Sequence, residues 1–159
     1  FIISPLEEDK KKGKQILKQQ NPLVVGEGNL SDLSQVLSNG QYFHPNISNF
    51  PVIDSAVQEG NCVYGFQMTV SDSHAPNGKR LLEILECLGI DEKSKKKFFL
   101  VFVVPEGSQL KKQKIIWKKD LSKKEFVEDK VQQWKYVQKV EKFRKKINKN
   151  DILNSNNDI

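Results

Sequence analysis

Residues 98–104 (FFLVFVV) have an apolar side chain at every position. Since side chains alternate between the two faces of a strand, a strand of this composition needs both faces covered. The PEG sequence at 105–107 ends the run with residues that favour turns. The segment therefore predicts a central strand in a sheet that carries helices on its faces.

A β-hairpin is predicted before this strand. In residues 50–71 (FPVIDSAVQEGNCVYGFQMTVS), two apolar runs flank the turn-like QEGN at 58–61. Leucine and valine at helical spacing predict helices at 31–38 and 79–90, and 41–44 reads as a brief strand. The order helix, strand, strand, strand, helix, strand indicates an α/β fold.

A long helix is predicted towards the C-terminus, from 121 to 149. Ser122 and Glu125 form a capping box, and a stripe of apolar side chains recurs at three- and four-residue steps. The members of this stripe are Tyr136, Val140, Phe143 and Ile147. The polar face of this helix is largely Lys.

These elements divide the 159 residues into four parts. The predicted parts are an N-terminal extension or the end of an upstream domain (1–28), an α/β core (29–117), a basic amphipathic helix (118–149) and a disordered tail (150–159). Within the core, 113–117 is a candidate edge strand.

Charge is distributed unevenly along the chain, whose net charge is +6. Residues 1–90 carry seven Lys/Arg against ten Asp/Glu, whereas residues 91–149 carry nineteen against eight. A surface of that sign favours anionic partners, of which DNA is a common one, although Lys-rich faces also serve solubility alone. No apolar run reaches the roughly 20 residues of a membrane helix, so no membrane partner is expected. Cys62 and Cys87 form no CxxC pair, so neither a disulfide framework nor a zinc site is indicated.

Polar residues interrupt the hairpin. In the strand from 63 to 71, Gln67 and Thr69 point to the face opposite Phe66. If Gln58 faces Asn61, Asp54 falls opposite Gly65 and shares the face of Gln67 and Thr69. Gly65 would then leave space for a cation between the Asp54 and Gln67 oxygens. The alternative is an exposed sheet face, on which such residues are ordinary.

The same region carries a family resemblance over about residues 40–140. The segments that carry it are YFHP at 42–45, NFPVID at 49–54, GFQMTVS at 65–71, His74, Lys79, FLVFVVP at 99–105 and QWKYV at 133–137. Together they resemble the C-terminal domain shared by Crinkler effectors and retrotransposon hot spot (RHS) proteins, within the PD-(D/E)XK nuclease superfamily.

The resemblance implies a restriction-endonuclease-like fold, placed after an NTPase or kinase-like domain in proteins that act at chromatin or in a host nucleus. It implies that Asp54 holds Mg²⁺ or Mn²⁺, with Gln67 as second ligand and the Met68 carbonyl as third. The usual Lys position falls on Thr69, which has no positive charge and is no base near neutral pH.

His74 or Lys79 could replace the missing Lys from the next turn. The alternatives are that His74 is a loop residue bonded to backbone and Lys79 a surface charge at a helix start. His44 is expected to be a strand-end residue, and Glu27 is a weak candidate for an upstream acid.

Three functions follow as hypotheses. The first is a metal-dependent nuclease that hydrolyses phosphodiesters in DNA. The second is a catalytically inactive nuclease fold that binds DNA, and the third is a protein-interaction module that uses the long C-terminal helix.

Overall fold

The computed structural model describes residues 2–6, 15–16, 25–47, 50, 52–118 and 121–139. In these residues, eight strands form one sheet and three α-helices pack against it. The strands are β1 (Ile2–Pro5), β2 (Gln15–Ile16), β3 (Val25–Gly28), β4 (Tyr42–Pro45), β5 (Ser55–Glu59), β6 (Cys62–Met68), β7 (Lys97–Pro105) and β8 (Val131–Gln138). The helices are α1 (Leu33–Ser38), which follows a 3₁₀ turn at Leu30–Asp32, α2 (Gly78–Cys87) and α3 (Lys124–Lys130).

The sheet is mixed, with the strand order β2-β1-β8-β7-β6-β5-β4-β3. Strands β3, β4, β6, β7 and β8 run in one direction, whereas β5 is antiparallel to both of its neighbours. Strand β1 is antiparallel to β8, and β2, antiparallel to β1, runs in the same direction as β8. The carboxyl ends of six strands therefore meet at one edge of the sheet, here called the carboxyl edge, and β1 and β5 begin there. The turn between β5 and β6 lies at the opposite edge, the hairpin edge.

Strand β7 occupies a central position, as its composition predicts. Phe98, Leu100 and Phe102 are fully buried on one face, and Phe99 and Val101 are buried on the other. The predicted order of helix, three strands, helix and strand is confirmed by α1, β4 to β6, α2 and β7. The α/β class is thus confirmed.

The two faces of the sheet differ in what covers them. All three described α-helices contribute to the larger apolar cluster, on the face of Phe98 and Phe102, which we call the helix face. The other face carries a smaller cluster in which Tyr64 stacks on Phe99 at 5.0 Å between ring centroids and Trp134 meets Phe99 edge-on at 5.7 Å. No helix in the described part of the chain is long and apolar enough to cross a membrane.

The helix predicted for 121–149 is wrong over residues 131–138. Helix α3 ends at Lys130, and the chain continues as β8, which pairs with β7 on one side and β1 on the other. Burial of Val131 against the helix face and of Trp134 against the opposite face stabilises the strand more than a helical stripe would. The remainder of that helix and the tail at 150–159 lie outside the described residues.

Two further boundaries differ from expectation. Strands β1 and β3, in the segment predicted as an N-terminal extension, belong to the same sheet as the core. Residues 113–117 form no strand; a single parallel bridge joins Ile116 to Asn77 instead. The pairing of β1 with β8 and that of β3 with β4 join segments separated in sequence, so local patterns do not reveal them.

Candidate functional site

The register of the hairpin differs from the predicted one by two residues. Gly60 and Asn61 form a two-residue turn between Glu59 and Cys62, with Gly60 at a φ of 58°. Ala56, not Asp54, is therefore opposite Gly65, and the Asp54 amide donates to the Phe66 carbonyl at 2.7 Å. Because a shift of two residues preserves the faces of a strand, Asp54 still meets Gln67.

The Asp54 carboxylate lies at the start of β5, at the carboxyl edge. Its Oδ2 accepts hydrogen bonds from the Met68 amide at 2.6 Å and from Gln67 Nε2 at 3.3 Å. The other oxygen, Oδ1, accepts no hydrogen bond from the described residues. The structure thus brings together Asp54, Gln67 and Met68, the three predicted ligands.

Met68 contributes differently from the prediction, which assigned its carbonyl to a metal. Its amide N–H holds the carboxylate of Asp54. In an extended strand, the N–H and C=O of one residue point to the same side, so the Met68 carbonyl also faces the Asp54 side of β6.

Gly65 does not leave the space that the sequence suggested. A Cβ added there would lie 2.7 Å from Ile53 Cγ2 and 2.8 Å from Phe98 Cζ. The glycine is needed because these two side chains fill the helix face above it. Any ion must therefore bind at the strand ends rather than over Gly65.

A cleft of about 540 Å³ opens at the carboxyl edge beside Asp54. Its lining comprises His44, Pro45, Asn46, Ile47, Phe50, Asp54 and Met68. Clefts outside the carboxyl ends of parallel strands are the usual ligand sites of α/β sheets. His44, expected to be only a strand-end residue, is exposed and lines this cleft.

Thr69, which the predicted resemblance aligns with a Lys, is 9% exposed. Its hydroxyl oxygen accepts a hydrogen bond from the Ser71 amide at 3.1 Å, and its own amide donates to the Val103 carbonyl at 3.0 Å. Thr69 therefore shapes the turn that follows β6.

The structure places neither His74 nor Lys79 in direct contact with Asp54 or Gln67 among the contacts of the described residues. The His74 ring meets the ring of Phe102 at 6.4 Å between centroids, and Phe102 is the register neighbour of Gln67 on β7. Lys79 is exposed in the first turn of α2 and forms no hydrogen bond or ion pair with any described residue. Glu27 is exposed on β3, in register with His44.

Sequence reasoning missed Lys135. On β8, Val131 packs on the helix face, so Gln133 and Lys135 point to that face as well. Lys135 is in register with Phe102, and hence in one row with Gln67. The alternation of Trp134 and Tyr136 with polar neighbours was the available signal, which the helical interpretation obscured.

The donor chemistry fits a hard cation that is completed by substrate. One carboxylate, one amide and a backbone carbonyl are oxygen ligands, and Mg²⁺ is commonly held by one or two carboxylates together with water and substrate phosphates. Among the described residues, no group of three or more His, Cys, Asp or Glu side chains could hold a metal on its own.

Comparison with known protein families, curated proteins and solved structures yields no match to this chain.

Proposed function

We propose that this chain is a nuclease-like domain that acts on DNA by phosphodiester hydrolysis, with Asp54 and Gln67 at its centre. The observation that carries the proposal is the contact between Gln67 Nε2 and Asp54 Oδ2, which are 3.3 Å apart, with Asp54 in the lining of the cleft. It joins an acid at the start of one strand to a polar residue at the end of the next, as in the PD-(D/E)XK layout.

The chain's own residues have distinct roles in this proposal. The Met68 N–H fixes the Asp54 carboxylate through Oδ2, and Oδ1, which accepts no hydrogen bond from the described residues, would be the ligand oxygen. A bound Mg²⁺ or Mn²⁺ supplies Lewis-acid polarisation of the scissile phosphate and a lowered pKa of the attacking water. Gln67 would be the second ligand of this metal, and the two imidazoles that could transfer a proton are His44, which lines the cleft with Asp54, and His74.

The arrangement of elements supports a restriction-endonuclease-like core. Helix α1, the three strands β4 to β6, helix α2 and strand β7 follow in the order of that fold. Asp54 precedes β5 and Gln67 lies near the end of β6, which are the positions that the superfamily uses for its acid and for its second ligand.

A second candidate is a DNA-binding domain of the same fold that does not cleave. The observation in its favour is the engagement of Thr69 in a turn hydrogen bond, since no ammonium group replaces the usual Lys at this position. Lys135, in the row of Gln67, is the residue that would restore a positive charge on the helix face.

Plasmid nicking with Mg²⁺ or Mn²⁺ tests the proposal, with the native chain beside Asp54→Asn. Asn keeps an oxygen for the Met68 N–H and loses the charge, so we expect the fold to persist and nicking to fall at least about tenfold. EDTA should abolish nicking by the native chain, because the reaction depends on the metal.

The matched control is Asp91→Asn. Like Asp54, Asp91 accepts a backbone N–H, that of Lys93 at 2.9 Å, but Asp91 is exposed and lies at the hairpin edge. Nicking should be unchanged in this variant. Equal nicking by Asp54→Asn and the native chain would refute the assignment of the site, and an intact plasmid with the native chain would favour the non-cleaving candidate.

A further inference from the structure

The loop that joins β7 to α3 is rich in lysine. Its residues 107–118 contain Lys111, Lys112, Lys114 and Lys118 and no acidic residue. All four lysines are exposed. Lys111, Lys114 and Lys118 form no hydrogen bond or ion pair with the described residues through their side chains, so their charge is available to a ligand.

The first part of this loop is fastened by Asp72. Asp72 Oδ1 accepts hydrogen bonds from the Gln109 amide at 3.0 Å and from the Ser108 hydroxyl at 3.3 Å. Since Asp72 follows Thr69 by three residues, the start of the loop is held beside the end of β6.

A pair of glutamines fastens the middle of the loop. The backbone N–H of Gln113 donates to Gln133 Oε1 at 2.8 Å, and Gln133 Nε2 donates to the backbone carbonyl of Gln113 at 2.8 Å. Gln113 Oε1 in turn accepts from the His74 amide at 2.8 Å. Gln133 is 5% exposed, so the loop is tied to a buried side chain of β8.

The end of the loop is held against the start of α2. Gly78 donates its amide to the Ile116 carbonyl at 2.8 Å, and the Ile116 amide donates to the Pro76 carbonyl at 2.9 Å. The indole of Trp117 packs directly on Gly78, where a Cβ would overlap it. The lysines therefore stand on a loop fixed at three places to residues 72–78.

We propose that Lys111, Lys114 and Lys118 bind the sugar–phosphate backbone of duplex DNA, on the same side of the sheet as Gln67. Lysines bind phosphates as point charges without reading sequence, and a fastened loop loses little conformational entropy on binding. The choice of DNA as the partner rests on the proposed function, but the binding does not require cleavage.

The chain provides a matched control at the hairpin edge. Lys93, Lys95 and Lys97 are equally exposed and precede or begin β7. Replacing these three lysines by Gln changes the net charge by the same amount as replacing Lys111, Lys114 and Lys118. The two triple variants therefore separate a located binding surface from the effect of overall charge.

The experiment measures the affinity of the full chain for a short labelled DNA duplex by fluorescence anisotropy, in EDTA and over a range of salt concentrations. We expect the loop variant (Lys111, Lys114 and Lys118 to Gln) to bind at least about tenfold more weakly at low salt and to lose about three units of the slope of log affinity against log salt. The hairpin-edge variant should retain the native affinity within about threefold. Thermal melting of both variants checks that the exposed substitutions leave the fold intact.

Equal losses in the two variants, or no DNA binding by the native chain, would overturn the proposed surface. The same measurement on Asp54→Asn separates the surface from the nuclease site. Salt-sensitive binding by Asp54→Asn that is lost in the loop variant supports the surface even if the plasmid is never nicked. Binding of the loop variant at native strength refutes the surface even if nicking is observed.

Discussion

Val52 has a backbone φ of 72°, two residues before Asp54. A β-branched side chain in this region is a conformational outlier, and such outliers concentrate at functional sites because the surrounding structure holds them there. Val52 is partly buried against the main apolar cluster. The adjoining Ile53 is fully buried, and its packing holds the chain in place before Asp54.

This strain predicts an unusual order of stability in two substitutions. Val52→Ala and Val52→Gly both lose the side-chain packing, but only glycine accepts the positive φ without penalty. We expect Val52→Gly to be more stable than Val52→Ala by about 0.5–1 kcal/mol in urea denaturation.

Val57 in β5 is the control, since its φ is not positive. There we expect the opposite order, with alanine more stable than glycine. If the alanine variant were more stable than the glycine variant at position 52 as well, Val52 would not be strained.

Strands β6, β7 and β8 are linked by aromatic contacts on the face opposite the helices. Tyr64 stacks on Phe99, and Phe99 meets Trp134, so each strand contributes one ring. Burial raises the pKa of Tyr64 well above its usual value, and the hydrogen bond and charge of Cys62 act in the same direction. The folded state therefore favours the neutral phenol.

This shift predicts a loss of stability in alkaline solution. Below pH about 10, the phenol is neutral in the folded and unfolded states alike; above it, the unfolded phenol ionises while the folded one keeps its proton. The free energy of unfolding should therefore fall by up to about 1.4 kcal/mol per pH unit through this group.

Tyr64→Phe isolates the effect, because lysine titration is common to both chains. The difference in unfolding free energy between the native chain and Tyr64→Phe should be constant from neutral pH to about pH 9 and should shrink above about pH 10. A difference that stays constant through that range would show that the Tyr64 pKa is not raised.

The elements that sequence alone predicted are those with a local signal. The hairpin has its turn glycine, α2 its leucine spacing and β7 its unbroken apolar run, and each follows from contacts within a few residues. The local signal of strand β8 is ambiguous: Trp134 and Tyr136 alternate with polar neighbours as in a strand, but Tyr136 also fits a helical stripe. Its pairing with β7 and β1 decides the outcome.

At the scale of the whole molecule, the contact between Asp54 and Gln67 is independent of the exact register of the hairpin. The register was wrong by two residues, yet Asp54 and Gln67 still meet, since only an odd shift exchanges the faces of a strand. The cleft, by contrast, depends on the end of β4 and on residue Phe50, and the lysine loop depends on Gln133. These long-range contacts have no trace in a local pattern.

The mixture of antiparallel and parallel pairing has a consequence for the time course of folding. The β5–β6 pair is joined by a two-residue turn, whereas β6 and β7 become neighbours only after the chain between them, including α2, has closed. Hairpins form within microseconds and non-local parallel pairings far more slowly. In refolding followed by pulsed hydrogen exchange, we expect the backbone N–H of Asp54 to be protected before the backbone N–H of Gln113. Simultaneous protection of the two groups would contradict this order. The acid and the amide of the site would thus be in place while the surface proposed to grip DNA is still unformed.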